Sequence, residues 1–531
     1  MTKYLLTRLL RGAISIVIVV AIVMLLVYSF LERDMIFSAD PNFTKQKNNN
    51  KVAYQMQMWE RYGYLDYVPY ADWLGQKLSS GEIDQETFDK AVKFSDKQFN
   101  SKGERLDNEL AMKYVDEFSE YYEGKGYEIE RRDAIMKGKT KKYQDGGAPR
   151  LFAYKDVPVI ERLGKYFLKL IVVDNIHYVQ EDIGERGITF TWYDPAYGGE
   201  KFSPAIMGNG TYNKYLLYFD NQFPYIHQNL IKLNLGLSFS IRQGIDVFTT
   251  MTETQGSYAY STVTYPSGAV SESADNLHSL TYMPGSFANG TPVIKANYVD
   301  DYTNVSTYKN GMSKMGYSFV LGIIATVLSY LLAVPMGIMM ALKKEKFIDK
   351  LGTVYIVFIT AVPSLAYIFL FKSLGGKFGL PTTFDMENPT TLMYILPIIS
   401  LALPSIANLM KWLRRYMIDQ MNSDYVKFAR SGGLSEGEIF SKHILKNAII
   451  PIVHGIPGSV LFSLTGAIIT ERVYVVPGVG NMLTKAINQY DNGVIVGMVL
   501  FYAVLTVASI IMGDVLMSMV DPRISFTSKA R

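Results

Sequence analysis

Apolar and polar positions divide this chain into two populations. Six apolar runs, at residues 12–30, 315–342, 351–371, 391–410, 448–470 and 494–520, predict membrane-spanning helices. Each is near the length that crossing a bilayer takes, about 20 residues. Residues from about 31 to 312 are polar and Tyr-rich. The first run follows Lys3, Arg8 and Arg11 and ends in FLERDM. A cleaved signal peptide would have a shorter apolar region and a small-x-small site behind it, so a retained span is predicted. Pro335, Pro363, Pro397, Pro404, Pro451 and Pro457 lie in or beside the runs. Proline costs a soluble helix about 3 kcal/mol, but neighbours in a membrane bundle satisfy the freed carbonyl.

One polar stretch breaks the apolar second half. Residues 424–451 read DYVKFARSGGLSEGEIFSKHILKNAIIP. They predict a short helix that breaks at Gly432-Gly433, restarts at Leu434-Ser435 and runs to Pro451. Asp424 and Lys427 or Phe428 stand one turn apart, and Ala429 and Gly433 share a face four apart. Small residues on a face admit a partner backbone, and the glycine pair bends without Cβ strain. Ser435 is placed to cap the next helix, with Glu438 as capping-box partner. So charged an element has to stand in water, where another protein can grip it. A plain solvated linker would need no such helix signals.

Basic residues choose an orientation. With alternating spans, Lys3, Arg8, Arg11, Lys343, Lys344, Lys346, Lys350, Lys411, Arg414, Arg415, Arg430, Lys442, Lys446, Arg523, Lys529 and Arg531 fall on one side. The loops at 372–389 and 471–493 are poorer in Lys and Arg. Both termini and the 424–451 loop are expected in the cytoplasm, and residues 32–313 outside.

Composition agrees. The 531 residues are 49% hydrophobic and 19% charged, with mean hydropathy +0.08, between a wholly embedded and a soluble protein. A net charge of +4 gives no argument for nucleic acid. The absence of cysteine excludes disulfides, thiolate metal sites and Cys nucleophiles.

The outer region predicts an α+β domain. Residues 83–130 show helical patterning (FDKAVKFSDKQF, ELAMKYVDEFSEYY), and β-like runs follow at 188–193, 261–265 and 280–283. Two segments, 157–173 and 223–237, are amphipathic; a place on the bilayer surface and a place in a buried core are both open.

Catalytic motifs fail. Gly138-Lys139-Thr140 lacks the glycine a phosphate loop needs five positions earlier, where Asp133 stands. His177, His227, His278, His443 and His454 show no metal spacing, and no G-x-S-x-G elbow occurs. No enzyme chemistry, metal site or cofactor is expected. Asp514 lies in the sixth span, where a charge is costly and must face protein or water. A structural pair with a loop arginine is the favoured role over substrate contact. His454 and Asn408 are polar residues in spans, open to path lining or to packing.

The 424–451 loop resembles the cytoplasmic coupling ("EAA") loop of ABC-importer permeases, in the form used by the dipeptide/oligopeptide branch. The resemblance is carried by Asp424 to Glu436, DYVKFARSGGLSE, and by Lys442 to Pro451, KHILKNAIIP. The leading Glu and first Ala of the general pattern are replaced by Lys427 and Phe428, as is common in this branch. Further likeness lies in TERVYVVPGVG at 470–480, GDVL at 513–516, DPR at 521–523 and NLIKLNLGLSFS at 229–240. A first span followed by a long outer insertion resembles the Ami/Opp-type B-position permeases of Gram-positive bacteria.

That resemblance implies a membrane all-α fold, a type I ABC importer permease with six transmembrane helices, plus an α+β extracellular domain between helices 1 and 2. The expected partition is 1–31, 32–313 and 314–531, with the coupling loop at 416–447. It implies an oligopeptide path moved by ATP closure of partner subunits, with Lys427, Ala429, Arg430, Gly432, Gly433, Leu434, Ser435 and Glu436 as the ATPase-coupling residues. Implied partners are a second homologous permease, two cytoplasmic ATPases carrying ATP and Mg, an extracellular lipid-anchored peptide-binding protein, the peptide and the bilayer. A nickel-chelate or signalling-peptide permease, or a non-transporting scaffold or sensor, are the alternatives.

Overall fold

A computed structural model describes residues 2–94, 98–99, 105–106, 109–138, 142–176, 186–194, 200, 202–219, 226–256, 261–264, 270–273, 275–282, 292, 304–307, 312–386 and 388–520. Arg523, Lys529, Arg531, the DPR stretch, His177, Lys139, Thr140, Tyr265 and Met283 lie outside the described residues.

The first apolar run forms helix α1 (Thr2–Phe30), whose Ile14, Ile18, Ile22 and Leu26 are exposed along one side. A helix satisfies its own backbone, which is what permits such an apolar surface in lipid. Helix α2 (Lys314–Leu342) is capped by the Ser313 side chain on the Gly316 N–H and contains Pro335. Ala325, Ala333 and Gly337 keep its packed side small, so that α5 (Ile395–Met421) lies closely against it.

The third predicted run is not one rod. It is split into α3 (Phe347–Ala361) and α4 (Ser364–Lys377), bent by 107°. Pro363 has no N–H to continue α3, and it holds the preceding Val362 extended. Helix α5 extends past 410 to Met421, so Lys411, Arg414 and Arg415 ride on its last turns rather than in a loop. Next come α6 (Asp424–Ser431), a single turn (Glu436–Glu438), a π-helical segment (Ile439–Leu445) and α7 (Lys446–His454). Pro451 therefore sits inside α7 and does not end it. The fifth run is likewise broken, into α7, α8 (Ile456–Phe462) and α9 (Ile468–Tyr474), the last break at Gly466 with φ +77°. Two more helices follow, α10 (Val479–Asn488) and α11 (Asn492–Val520). Among the described residues, five helical stretches are long and apolar enough to cross a membrane, six with the bent pair.

Between α1 and α2 the described residues are α+β. Strands Leu65–Pro69, Arg150–Asp156 and Glu128–Arg132 form an antiparallel sheet with the second central, registering Tyr67 on Tyr154 and Ile129 on Ala153. Helices Tyr70–Ser79, Gln85–Ala91 and Glu109–Glu123 cover it around buried Tyr70, Trp73, Leu74 and Phe118. The helical reading of 88–99 stops at Ala91, and Gln98–Phe99 is a strand. A second antiparallel sheet joins Gly187–Thr191, Ala205–Asn209, Tyr215–Phe219 and Ile226–Gln228 in sequence order. The amphipathic 157–173 segment gives helix Val159–Leu168 and strand Ile171–Val173. The described part of segment 223–237, from Ile226, is not a helix: it gives strands Ile226–Gln228 and Ile231–Leu233. The Gln228 side chain closes the turn between them, accepting from the Ile231 N–H and donating to its carbonyl.

Candidate functional site

The loop between α5 and α7 is a bent knob on a packed base. Helix α6 ends at Gly432, and Gly433 turns the chain at φ +81° with nothing within 4 Å of where a Cβ would stand. Ser435 then caps the next turn and forms the reciprocal capping box with Glu438. Arg430 reaches across the bend to Glu436 with two hydrogen bonds, Nε to Oε1 at 2.5 Å and Nη2 to Oε2 at 3.0 Å. That pair stiffens the corner, and Glu436 pushes the Arg430 guanidinium pKa up from its ordinary value. Lys427 donates to Asp424 at 2.9 Å and holds that carboxyl below the usual range.

Of the predicted loop residues, Lys427, Arg430, Gly432, Gly433, Leu434, Ser435 and Glu436 are brought together on the exposed knob. Ala429 is not. It is half-buried against the chain's own cluster of Leu413, Met417, Val426, Ile439 and Ile444, because the amphipathic face of α6 turns inward there. The exposed apolar group is Phe428, 77% accessible. Val426 at 0% and the Tyr425 hydroxyl, which accepts from Asn447 at 3.0 Å, tie the knob to α7. At its root Arg414 of α5 forks onto Asp349 of α3 at 2.5 and 2.8 Å. Sequence reasoning used Arg414 only as a topology marker and missed Asp349, whose partner is 65 positions away.

A cavity of about 370 Å³ lies between α2, α5 and the α8–α9 segment. Ser318, Ser329, Ser405, Asn408, Ser459 and Thr465 line it, with Glu471 at one end. Asn408 is thus the one predicted polar residue at this cavity. Glu471 is 1% exposed and accepts from the Ser318 hydroxyl at 2.7 Å and from the Ala467 and Asn481 N–H groups at 3.1 and 3.0 Å. Gly466, Gly478 and Gly480 crowd the carboxylate; a Cβ on any would stand within 3.1 Å of it. The TERVYVVPGVG stretch is therefore a structural corner wound around one buried charge. Sequence reasoning quoted Glu471 without a role, although an acid in an apolar run beside three glycines was a signal.

Asp514 is paired, but not with a loop arginine. Tyr4 donates to its Oδ2 at 2.8 Å, and Arg8 Nη2 lies at 3.3 Å from the same oxygen. Both belong to α1, which packs along α11 so that Gly12 meets Val507. His454 does not line the cavity. It packs on Gly513, and its Nδ1 finds no hydrogen-bond partner among the described residues.

The NLIKLNLGLSFS stretch has a partner that the sequence did not reveal. Asp491, fully buried just before α11, accepts from Phe239 N at 2.9 Å, Ser240 N at 2.9 Å, Ile241 N at 3.2 Å and the Ser238 hydroxyl at 2.7 Å. Gly493 receives the Leu237 carbonyl where any Cβ would stand 1.8 Å from its oxygen. This clasp fixes the region between α1 and α2 to the head of α11.

Known proteins extend this picture. The family described as the binding-protein-dependent transport system inner membrane component matches residues 333–526. The oligopeptide transport system permease protein AmiC of Streptococcus pneumoniae is 32% identical over 100% of this chain and 99% of its own. The dipeptide transport system permease protein DppB of Bacillus subtilis is 28% identical over 41% of this chain and 72% of its own. The metal-staphylopine import system permease protein CntB of Staphylococcus aureus is 30% identical over 38% of this chain and 65% of its own. Similarity along the entire length, with an apolar helical core to match, means that this chain belongs to the Ami/Opp branch of ABC-importer permeases, as a multi-pass membrane transport subunit, not an enzyme, that works with ATPase and substrate-binding partners.

Proposed function

We propose that this chain forms half of the translocation path of an oligopeptide importer and carries motion into it through the α6–Gly433–Ser435 knob. Both termini and the knob face the cytoplasm, and residues 32–313 stand outside as an inserted domain. The path partner is a second homologous permease. Two cytoplasmic ATPases hold ATP and Mg, and a lipid-anchored binding protein delivers peptide to the outer region. The hydroxyl-lined cavity that holds Asn408 is this chain's share of the path, since serine and threonine hydroxyls can serve peptide backbones of any sequence.

The observation that carries the reading is the knob's construction. Its tip is exposed and capped, whereas its base is packed into the cluster that also contains α2, α5 and α7 side chains. A push on the tip is delivered to those helices rather than lost in a slack loop. Closure of the ATPases on ATP would tilt α5 and the α7–α9 segment and open the cavity outward; hydrolysis resets it.

The test is Gly433→Asp in the assembled importer. The left-handed backbone there costs an ordinary residue only about 1–2 kcal/mol, and open space surrounds the site. Membrane insertion should survive and peptide uptake should be lost. Uptake at the wild-type rate would count against the lever. Metal-chelate cargo is the second reading, favoured by the similarity to a metal-staphylopine permease. Competition of labelled peptide by chelate separates the two. A scaffold or sensor predicts no co-purifying ATPase.

A further inference from the structure

The outer region carries an apolar surface that its own fold leaves bare. Helix Val159–Leu168 buries no residue fully. Its inward side, with Leu163, Tyr166 and Phe167, packs against the cluster that includes Val20 and Met24 of α1 and Val494, Val496 and Leu500 of α11. The helix therefore lies alongside the outermost turns of two spanning helices. Ile160 and Leu168 are 79% and 84% exposed and sit eight positions apart, on one stripe of the helix.

The neighbouring two-stranded sheet repeats the pattern. Strands Ile171–Val173 and Ile231–Leu233 pair antiparallel, with Ile171 opposite Leu233 and Val173 opposite Ile231. Alternation puts those four side chains on one face. All four are between 41% and 57% exposed. The other face carries Lys232, which donates to Asn213 within the outer region. One face of this ribbon thus carries Val172 opposite Lys232, which is tied to Asn213, and the other is wholly aliphatic and half-exposed.

We infer that the Val159–Leu168 helix and this ribbon lie in the outer leaflet of the membrane that α1 crosses, with Ile160, Leu168, Ile171, Val173, Ile231 and Leu233 at the acyl-chain boundary. The occupant is fixed by continuity. The helix is packed on α1, whose own Leu25, Leu26 and Phe30 are exposed as a lipid-facing side must be. Polarity around the helix agrees, because Glu161 and Lys165, paired at 2.8 Å, and then Lys169 follow the apolar stripe and give the helix a charged side next to its bare one. The anchor does not depend on what cargo is carried.

The chain has no cysteine, so single thiols report cleanly. Leu168→Cys, Val173→Cys and, as reference, Ser80→Cys are labelled with an environment-sensitive fluorophore in the full transporter. The complex is reconstituted in phosphatidylglycerol–phosphatidylcholine vesicles. Ser80 is exposed beside polar Ser79 and Glu82. Expected is strong quenching at 168 and 173 by lipids carrying a nitroxide on the acyl chain, and quenching by aqueous iodide several-fold weaker than at 80. Iodide quenching equal to that at 80 overturns the inference. So does protection from iodide without nitroxide quenching, which would mean that a partner subunit covers this face. Ile171→Cys provides a third position should one variant misfold.

Discussion

Two glycines at opposite ends of the molecule do different work. Gly433, in the knob, adopts φ +81° with empty space around it. Gly493, at the head of α11, has ordinary backbone angles but the Leu237 carbonyl pressed onto its α-carbon. The first is there for conformation and the second for proximity. The knob is thus a local construction, with its cap, bend and bridging ion pair all within Asp424–Glu438 in sequence. The clasp joins positions about 250 apart, and its hydrogen bonds to Ser238, Phe239, Ser240 and Ile241 are all long-range. A side chain at the tip of the lever would meet backbone strain but no neighbour, and one at the attachment would meet the Leu237 carbonyl.

The comparison yields a ranked set of outcomes. Asp491→Ala should have the largest effect. It strips the acceptor from the buried Phe239 N–H and the part-buried Ser240 and Ile241 N–H groups, and a buried unpaired donor costs about 1–3 kcal/mol. The detergent-solubilised chain should lose much of its thermal stability, and limited proteolysis should release the outer region. A wild-type melting midpoint would remove the clasp from the argument. Gly493→Ala comes next, with a Cβ forced onto the Leu237 carbonyl and a cost of about 1–3 kcal/mol, the range of overpacked cores. The same melting assay reads it, and it should fall between Asp491→Ala and wild type.

Gly433→Asp should sit lower on the stability scale yet abolish uptake, the reverse of the order in which clasp variants rank if they still reach the membrane. A drop in melting midpoint as large as that of Gly493→Ala would show that the knob is not the local construction described. Arg430→Gln should have the least effect on stability, because the Arg430–Glu436 pair is fully in water and screened. Its uptake, measured against salt concentration, reports whether stiffness at the bend matters once the ion pair is gone.

Much of the knob was legible. Gly-Gly, Ser and a Glu three positions on are local signals, and the structure has the bend, the cap and the capping box where those residues stand. Its orientation was less so. Ala429 turns inward and Phe428 outward because the cluster under α6 selects the buried side, and that cluster draws on α2 and α5. The broken third and fifth apolar runs show the same limit. Pro363 and Gly466 were visible as residues, but whether a proline kinks a helix or folds it back by 107° depends on what its neighbours offer the freed backbone. Between α1 and α2, 223–237 had amphipathic spacing, and its described part still became strands, since Ile231–Leu233 found Ile171–Val173 to pair with.

What the sequence determined by itself is the division between apolar runs and water-exposed stretches, and the capped bend of the knob. Transfer free energy is summed over neighbouring residues, and capping hydrogen bonds close within one turn, so both are written locally. Tertiary structure alone decided the partners of the buried charges: Glu471 with Ser318, Asp349 with Arg414, Asp491 with Ser238, Phe239, Ser240 and Ile241, and Asp514 with Tyr4 and Arg8 of the first helix. A carboxylate inside a protein must find donors somewhere, but which ones it finds is settled by which helices pack together, and no local pattern of residues records that.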